Sequence, residues 1–150
     1  LLAHQKMPPS LVSKGIWKER AEDIVSFERY PARNGTVIRK FFLHVSKDEQ
    51  RRRFLERIED PEKHWKFAAQ DVAERDHWDG YLEAYEDAIR ATSTAWAPWY
   101  VIPSDHKWVA RALVADVLTT TIRDLGLAHP EPTAEQRKAL ATAKRRLMNE

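Results

Sequence analysis

The chain has 150 residues, 43% hydrophobic and 32% charged, with a formal net charge of +2. That balance fits one globular domain and excludes a disordered polyelectrolyte, and so mild a charge does not by itself argue for a nucleic-acid partner. There is no cysteine, so disulfides and thiolate chemistry are excluded and the cytoplasm is the expected compartment. No apolar run approaches the roughly 20 residues of a membrane helix, and the opening LLAHQKMPPS is not of signal-peptide type.

Residues 1–13, with Pro8, Pro9, Ser10 and Ser13, read as an irregular lead-in. From Lys14 to Tyr30 the residues Ile16, Trp17, Ala21, Ile24 and Phe27 recur at helical spacing, and Pro31 with Asn34-Gly35 is expected to end that helix. Residues 36–45 (TVIRKFFLHV) predict a strand, whose nearly continuous apolar end is the pattern of a strand covered on both faces. Ser46-Lys47-Asp48-Glu49 follows as a capping box opening a helix that Pro61 interrupts. A longer helix is expected over 69–92, with Trp78, Tyr81, Leu82, Tyr85 and Ile89 as its buried stripe.

A second strand, Trp99-Tyr100-Val101-Ile102, lies between Pro98 and Pro103. Ser104 is placed to cap a third helix with one face of Trp108, Ala112, Ala115, Leu118 and Ile122, closed by Gly126. Thr133-Ala134-Glu135-Gln136 is a further capping box before an Ala/Arg/Lys-rich helix. Two strands joined by a long helical stretch are parallel neighbours. Two strands make a poor sheet alone, so the chain reads as part of a larger doubly wound α/β sheet. Leu1 stands where an initiator Met would, which fits a chain that begins inside a longer one.

Ligands of open α/β sheets bind beyond the carboxyl ends of the strands. Here those ends lead into Ser46 and into Pro103-Ser104-Asp105-His106-Lys107. The helix after Ser46 carries Arg51, Arg52, Arg53 and Arg57, followed by Lys63, His64 and Lys66. Planar guanidinium forks on such a helix suit phosphate oxygens. Glu49, Glu56, Glu59, Asp60 and Glu62 are interleaved, so ordinary helix-surface ion pairs are the competing account. His64, His77 and His106 lack metal-ligand spacing, and the six tryptophans sit mostly on apolar faces. GxxxxGK is absent, the only glycines being Gly15, Gly35, Gly80 and Gly126. No loop in the chain can cradle phosphate in the P-loop manner.

Three blocks, KFFLHVSKDEQRRRFLERIEDPEKHWKF (40–67), ERDHWDGYLEAYEDAIRATST (74–94) and APWYVIPSDHKWVAR (97–111), resemble second-family polyphosphate kinases. KMPPSLVSKGIWKER upstream resembles the subgroup acting on both AMP and ADP. The resemblance implies a P-loop-kinase-like parallel sheet with flanking helices, incomplete here, and a mobile lid at about 51–70. Residues 1–128 would be the C-terminal half of that domain and 129–150 a helical tail. It implies Mg²⁺-dependent phosphoryl transfer between inorganic polyphosphate and adenine nucleotides, with the Mg²⁺ ligands and glycine loop outside this chain and no metal ligand within it.

Carried over by position, Arg57 matches the lid arginine near the transferring phosphate. Arg53, Lys63 and Lys66 match basic positions along the polyphosphate path. Asp105 and Lys107 match the loop after the last strand, where capping or packing is as good an account as ligand contact. The isolated chain is expected to be inactive and, with an open sheet, to self-associate or form a homo-oligomer. No nucleic-acid or membrane partner is expected. The alternative is a non-catalytic polyphosphate- or partner-binding module.

Overall fold

The computed structural model describes residues 7–8 and 12–149; most of the expected lead-in lies outside them. The chain divides into two compact units, Leu1–Val114 and Ala115–Glu150. Among the described residues the order is α1 (Ile16–Arg33), β1 (Lys40–His44), α2 (Lys47–Glu59), α3 (Ala69–Ala73), α4 (Trp78–Thr92), β2 (Trp99–Pro103), α5 (Lys107–Asp124) and α6 (Ala134–Leu147). Short 3₁₀ segments at Pro61–Lys66 and Glu74–His77 complete it. No helix of the described residues is long and apolar enough to cross a membrane.

In the first unit β1 and β2 pair in parallel, Lys40 opposite Trp99 through His44 opposite Pro103. This is the expected α/β arrangement with flanking helices. Alternation along β1 puts Lys40, Phe42 and His44 on one face. That face is tied to the helices: Lys40 Nζ donates to both carboxylate oxygens of Glu28 in α1, at 2.8 and 2.6 Å, and to the Thr92 carbonyl of α4 at 2.7 Å. Trp99 Nε1 donates to Thr92 Oγ1 at 2.9 Å, and the Phe42 and Tyr85 rings lie 4.7 Å apart. On the opposite face Phe41 stacks on Tyr100 at 5.5 Å. Glu28 and Thr92 are buried, and among the described residues so are the apolar Ile16, Ala97, Ile102 and Ala110. A polar staple of one ion pair and two hydroxyl or carbonyl acceptors therefore fixes α1, β1 and α4 to one another.

Several local expectations shift for identifiable reasons. The first strand is half its expected length, because a strand extends only as far as its partner: Lys40 N–H reaches the Pro98 carbonyl, and residues 36–39 have no opposite number in β2. Helix α1 runs through Pro31 to Arg33, and Asn34 and Gly35, the latter at φ +87°, close it. The long helix over 69–92 is broken at Glu74–His77, where Tyr81 Oη donates to Glu74 at 2.6 Å and Arg75 turns away to α2. Ser104 does not cap α5. It is buried, its N–H bonded to the His44 carbonyl and its hydroxyl to the Ile102 carbonyl, so the sheet claims it and α5 starts later, at Lys107.

Coverage of the apolar faces is incomplete. Leu43 in β1 and Val101 in β2 are more than half exposed, as are Trp17 and Phe27 of α1 and Trp108 of α5. The expected α5 face of Trp108, Leu118 and Ile122 is exposed along its length, and Ala110 is the buried residue of that helix. In the second unit Thr133 and Gln136 form the reciprocal capping box that the sequence predicts for α6.

Candidate functional site

The carboxyl ends of both strands meet at one junction. Ser46 caps α2, its hydroxyl accepting from Glu49 N–H at 3.2 Å. The other half of the expected capping box is taken by a distant residue: Asp105, in the loop after β2, accepts the Ser46 N–H at 2.7 Å. That N–H holds the Asp105 carboxyl below its ordinary range, with nearby Arg53 contributing. Glu49, released from capping, receives Arg52 Nε at 2.7 Å and Arg53 Nε at 2.8 Å. Those hydrogen bonds, Arg52 first and Arg53 second, pull its pKa down to about 2. Arg53 then donates onward to the carbonyls of Ser104 at 2.7 Å and Asp105 at 3.1 Å.

One turn further along α2, Arg57 lies in a different setting. Its guanidinium stands 5.6 Å from the Phe54 ring centroid. Among the described residues no carboxylate pairs with it, although Glu56, Glu59 and Asp60 are sequence neighbours. Glu56 is engaged by Arg52 and Lys63, and Asp60 by Lys63. Arg57 lines a cleft of about 460 Å³ at the end of β1, together with Phe42, His44, Trp78, Tyr81 and Tyr85.

The remaining expected residues separate. Lys63 Nζ sits 2.8 Å from Asp60 and 2.9 Å from Glu56, and those hydrogen bonds, Asp60 first, raise its pKa above the ordinary lysine range. Lys66 is exposed with its ammonium 4.8 Å from the Trp65 ring. Lys107 is exposed at the first turn of α5. The geometry thus brings Arg53 and Asp105 together, leaves Arg57 at a cleft wall, and sets Lys63, Lys66 and Lys107 apart from both.

Sequence reasoning missed Arg75, which donates to Gln50 Oε1 and, at 3.1 Å, to the Lys47 carbonyl, with its guanidinium 6.0 Å from Phe54 on α2. Nothing local could have announced a contact spanning so much chain. Phe54 was legible as the i−3 neighbour of Arg57, and it also meets Phe67 edge-on at 6.2 Å. Among the described residues no three carboxylate or imidazole side chains converge. They form no cage for the Mg²⁺ that the resemblance implies.

The family model for Polyphosphate kinase 2 (PPK2) matches residues 9–129. An AMP/ADP-polyphosphate phosphotransferase of Meiothermus ruber is 49% identical over 129 residues, which cover 86% of this chain and 48% of that protein. A Leptolyngbya boryana protein, described as an uncharacterized protein in the chlN 3′ region, is 49% identical over 135 residues, covering 90% of this chain and 99% of its own length. The crystal structure of polyphosphate kinase 2 from Arthrobacter aurescens TC1 superposes with a TM-score of 0.75 at 40% identity, covering 84% of this chain and 46% of that one. The chain spans about half the length of the Meiothermus and Arthrobacter relatives and nearly all of the Leptolyngbya one. The parallel pair, the capped helix beyond it and these matches agree: the chain belongs to the polyphosphate kinase 2 family.

Proposed function

We propose that this chain is the lid-bearing part of a cytoplasmic kinase that moves phosphoryl groups between inorganic polyphosphate and a nucleoside mono- or diphosphate. The observation that carries this reading, beyond family membership, is Arg57: a cation without a carboxylate partner on a cleft at a strand's carboxyl end. Phosphoryl transfer asks mainly for positioning and charge neutralisation. The guanidinium fork of Arg57 meets charge developing on the equatorial oxygens of the transferring group.

Arg53 fixes α2 against the loop after β2, which sets where Arg57 stands, and it faces the polyphosphate path while bound to Glu49. Lys63 contributes to the same path from within its ion pairs, and Lys66 does so with a free ammonium. The segment at about 51–70 acts as the lid, residues 1–128 are the kinase-domain portion and 129–150 a helical tail. Asp105 caps the junction, and Lys107 adds positive charge beside it. Mg²⁺, when bound, supplies charge neutralisation of the phosphates from ligands other than the residues described, and the glycine loop is likewise provided by a second half. The exposed apolar residues of the first unit support self-association of the chain when that half is absent.

The test is ATP formation from ADP, polyphosphate and Mg²⁺ by two proteins: the 150-residue chain alone, and the chain joined to the glycine-loop half of the Meiothermus relative. The joined protein is expected to turn over and the chain alone not to; turnover by the purified chain alone, or a folded but inactive joined protein, defeats the reading. A second reading, a polyphosphate- or partner-binding module, is favoured by one observation, the match to 99% of the Leptolyngbya protein. Tight polyphosphate binding with no turnover in the joined protein would select it.

A further inference from the structure

The two outer edges of the parallel pair are not alike. Lys40 N–H donates to the Pro98 carbonyl at 3.1 Å, and Ser104 N–H donates to the His44 carbonyl at 2.7 Å. With the register of Lys40 opposite Trp99, those two bonds fix the direction of the peptide groups along the ladder. Lys40, Phe42 and His44 bond inward to β2, and the N–H and C=O groups of Phe41 and Leu43 point away from it. On β2 the outward residues are Trp99, Val101 and Pro103. That edge is largely closed: Trp99 N–H donates to Ser93 Oγ at 3.3 Å, and Pro103 has no N–H to offer. The β1 edge carries neither block. Its outward residues are apolar, and no described residue pairs with it there. The Leu43 side chain is 55% exposed. An open, apolar strand edge is a template for a further strand.

We propose that the β1 edge of this chain pairs with the β1 edge of a second copy, antiparallel and across a two-fold axis at Phe42. The strand is its own complement in that register. Phe41 stands opposite Leu43 of the second copy, and each such pair exchanges both of its outward hydrogen bonds. Leu43, the exposed residue of the strand, is then covered by Phe41 of the second copy, on the face where Phe41 already stacks on Tyr100. No charge opposes the approach, because Lys40 is neutralised by Glu28 within its own chain. Assembly closes at two copies: the sheet would run β2-β1-β1-β2, and both ends are the closed β2 edge. A seam of five-residue strands buries little area, so the dimer is concentration-dependent. This gives a seam to the self-association proposed above, and it stands on ladder geometry that does not depend on the phosphotransfer reading.

The test is sedimentation equilibrium of the 150-residue chain over a range of loading concentrations, with far-ultraviolet circular dichroism of each variant. The wild-type chain is expected to pass from monomer to dimer as concentration rises and to go no further. Leu43→Lys puts a charge on the seam and should weaken the dimer by at least about tenfold, the scale of lost leucine burial in two copies. Val101→Lys, on the β2 edge, should leave the dimer unchanged. The chain has no cysteine, so a single introduced one reports the register. Phe42→Cys should cross-link to its copy on mild oxidation, the two Cα atoms lying about 4.5 Å apart across the axis, within disulfide reach. Val101→Cys should not cross-link.

The inference is overturned if the wild-type chain stays monomeric across the range or grows beyond the dimer. It is equally overturned if folded Leu43→Lys dimerises as tightly as wild type, or if Val101→Cys cross-links in place of Phe42→Cys. A monomeric chain that instead binds a separately produced glycine-loop half of the Meiothermus relative would assign the edge to that half and overturn the pairing of copies. The joined-protein assay reads turnover and this one reads association of the chain alone, so a failure of either leaves the other standing.

Discussion

Arg53 and Arg57 stand one helical turn apart on α2 and line the same cleft, with the same fork and the same reach, but their polar partners differ. Arg53 donates from Nε to Glu49 within the helix and from Nη2 to the Ser104 and Asp105 carbonyls of the loop after β2. Around Arg57, Glu56 and Asp60 are committed to Arg52 and Lys63, no carboxylate among the described residues pairs with it, and the Phe54 ring lies against its guanidinium. A cation whose hydrogen bonds are satisfied within the protein holds the protein together. A cation whose neighbouring carboxylates are spoken for keeps its charge available to a ligand. Lys63 belongs with Arg53 on this division and Lys66 with Arg57.

The largest expected effect is on turnover of the joined protein. Arg57→Ala is expected to lower kcat by at least about 100-fold, a discount from the roughly 10³- to 10⁵-fold of arginine fingers because Arg53 remains on the same cleft. Arg57→Lys should recover only part of that, since an ammonium keeps the charge and loses the planar fork. Thermal stability should barely move, because no ion pair is lost. Turnover within a few-fold of wild type in Arg57→Ala would place Arg57 with the structural cations and dissolve the contrast.

Arg53→Ala should show the reverse pattern. Losing the hydrogen bonds to Glu49 and the two carbonyls is expected to destabilise the first unit by about 1–2 kcal/mol, read as a lower denaturant midpoint. A substantial fall in stability is the signature here, and an unchanged midpoint would show that the junction does not depend on this side chain.

The smallest effect sharpens the junction through pH. Hydrogen bonds from Arg52 and Arg53 depress the Glu49 pKa in the folded chain to about 2 from an ordinary 4.5. A depressed carboxyl contributes stability that is present above its unfolded pKa and lost as pH falls through the folded one. The stability of the first unit should therefore decline between about pH 4.5 and pH 2, and Asp105, depressed by the Ser46 N–H, adds to the same acid slope. Glu49→Gln should flatten part of that slope in denaturation curves taken across the range, by lowering the midpoint at neutral pH toward its acid value. An identical acid slope in Glu49→Gln would mean that its arginine partners do not act through its ionised form.

Much of this molecule was legible in one dimension. The Ser46 cap, the Pro61 break and the Thr133 box each rest on interactions within a few residues, and each is where the pattern predicts it; the first strand is at its apolar run but is cut to the length of its partner. Parallel pairing followed from two strands separated by helices. The arginine run could be read as phosphate-seeking or as a solvated face, and local spacing could not choose between them. The pairing of Lys63 with Glu56 and Asp60 is the solvated-face reading realised at one position, while Arg57 escapes it.

Residue order and local periodicity determined the element types, the helix caps and the list of candidate cations. Tertiary structure alone decided which candidates remain available. Asp105 takes the Ser46 N–H across 59 positions of sequence, which turns Glu49 toward Arg53. Arg53 then binds the carbonyls of Ser104 and Asp105. Arg75, in the 3₁₀ turn that interrupts what periodicity alone would make one helix, reaches back 25 positions to Gln50. Each outcome depends on hydrogen-bond donors and acceptors that only the folded chain brings within 3 Å or so of one another, and a hydrogen bond of that length has no signature in spacing.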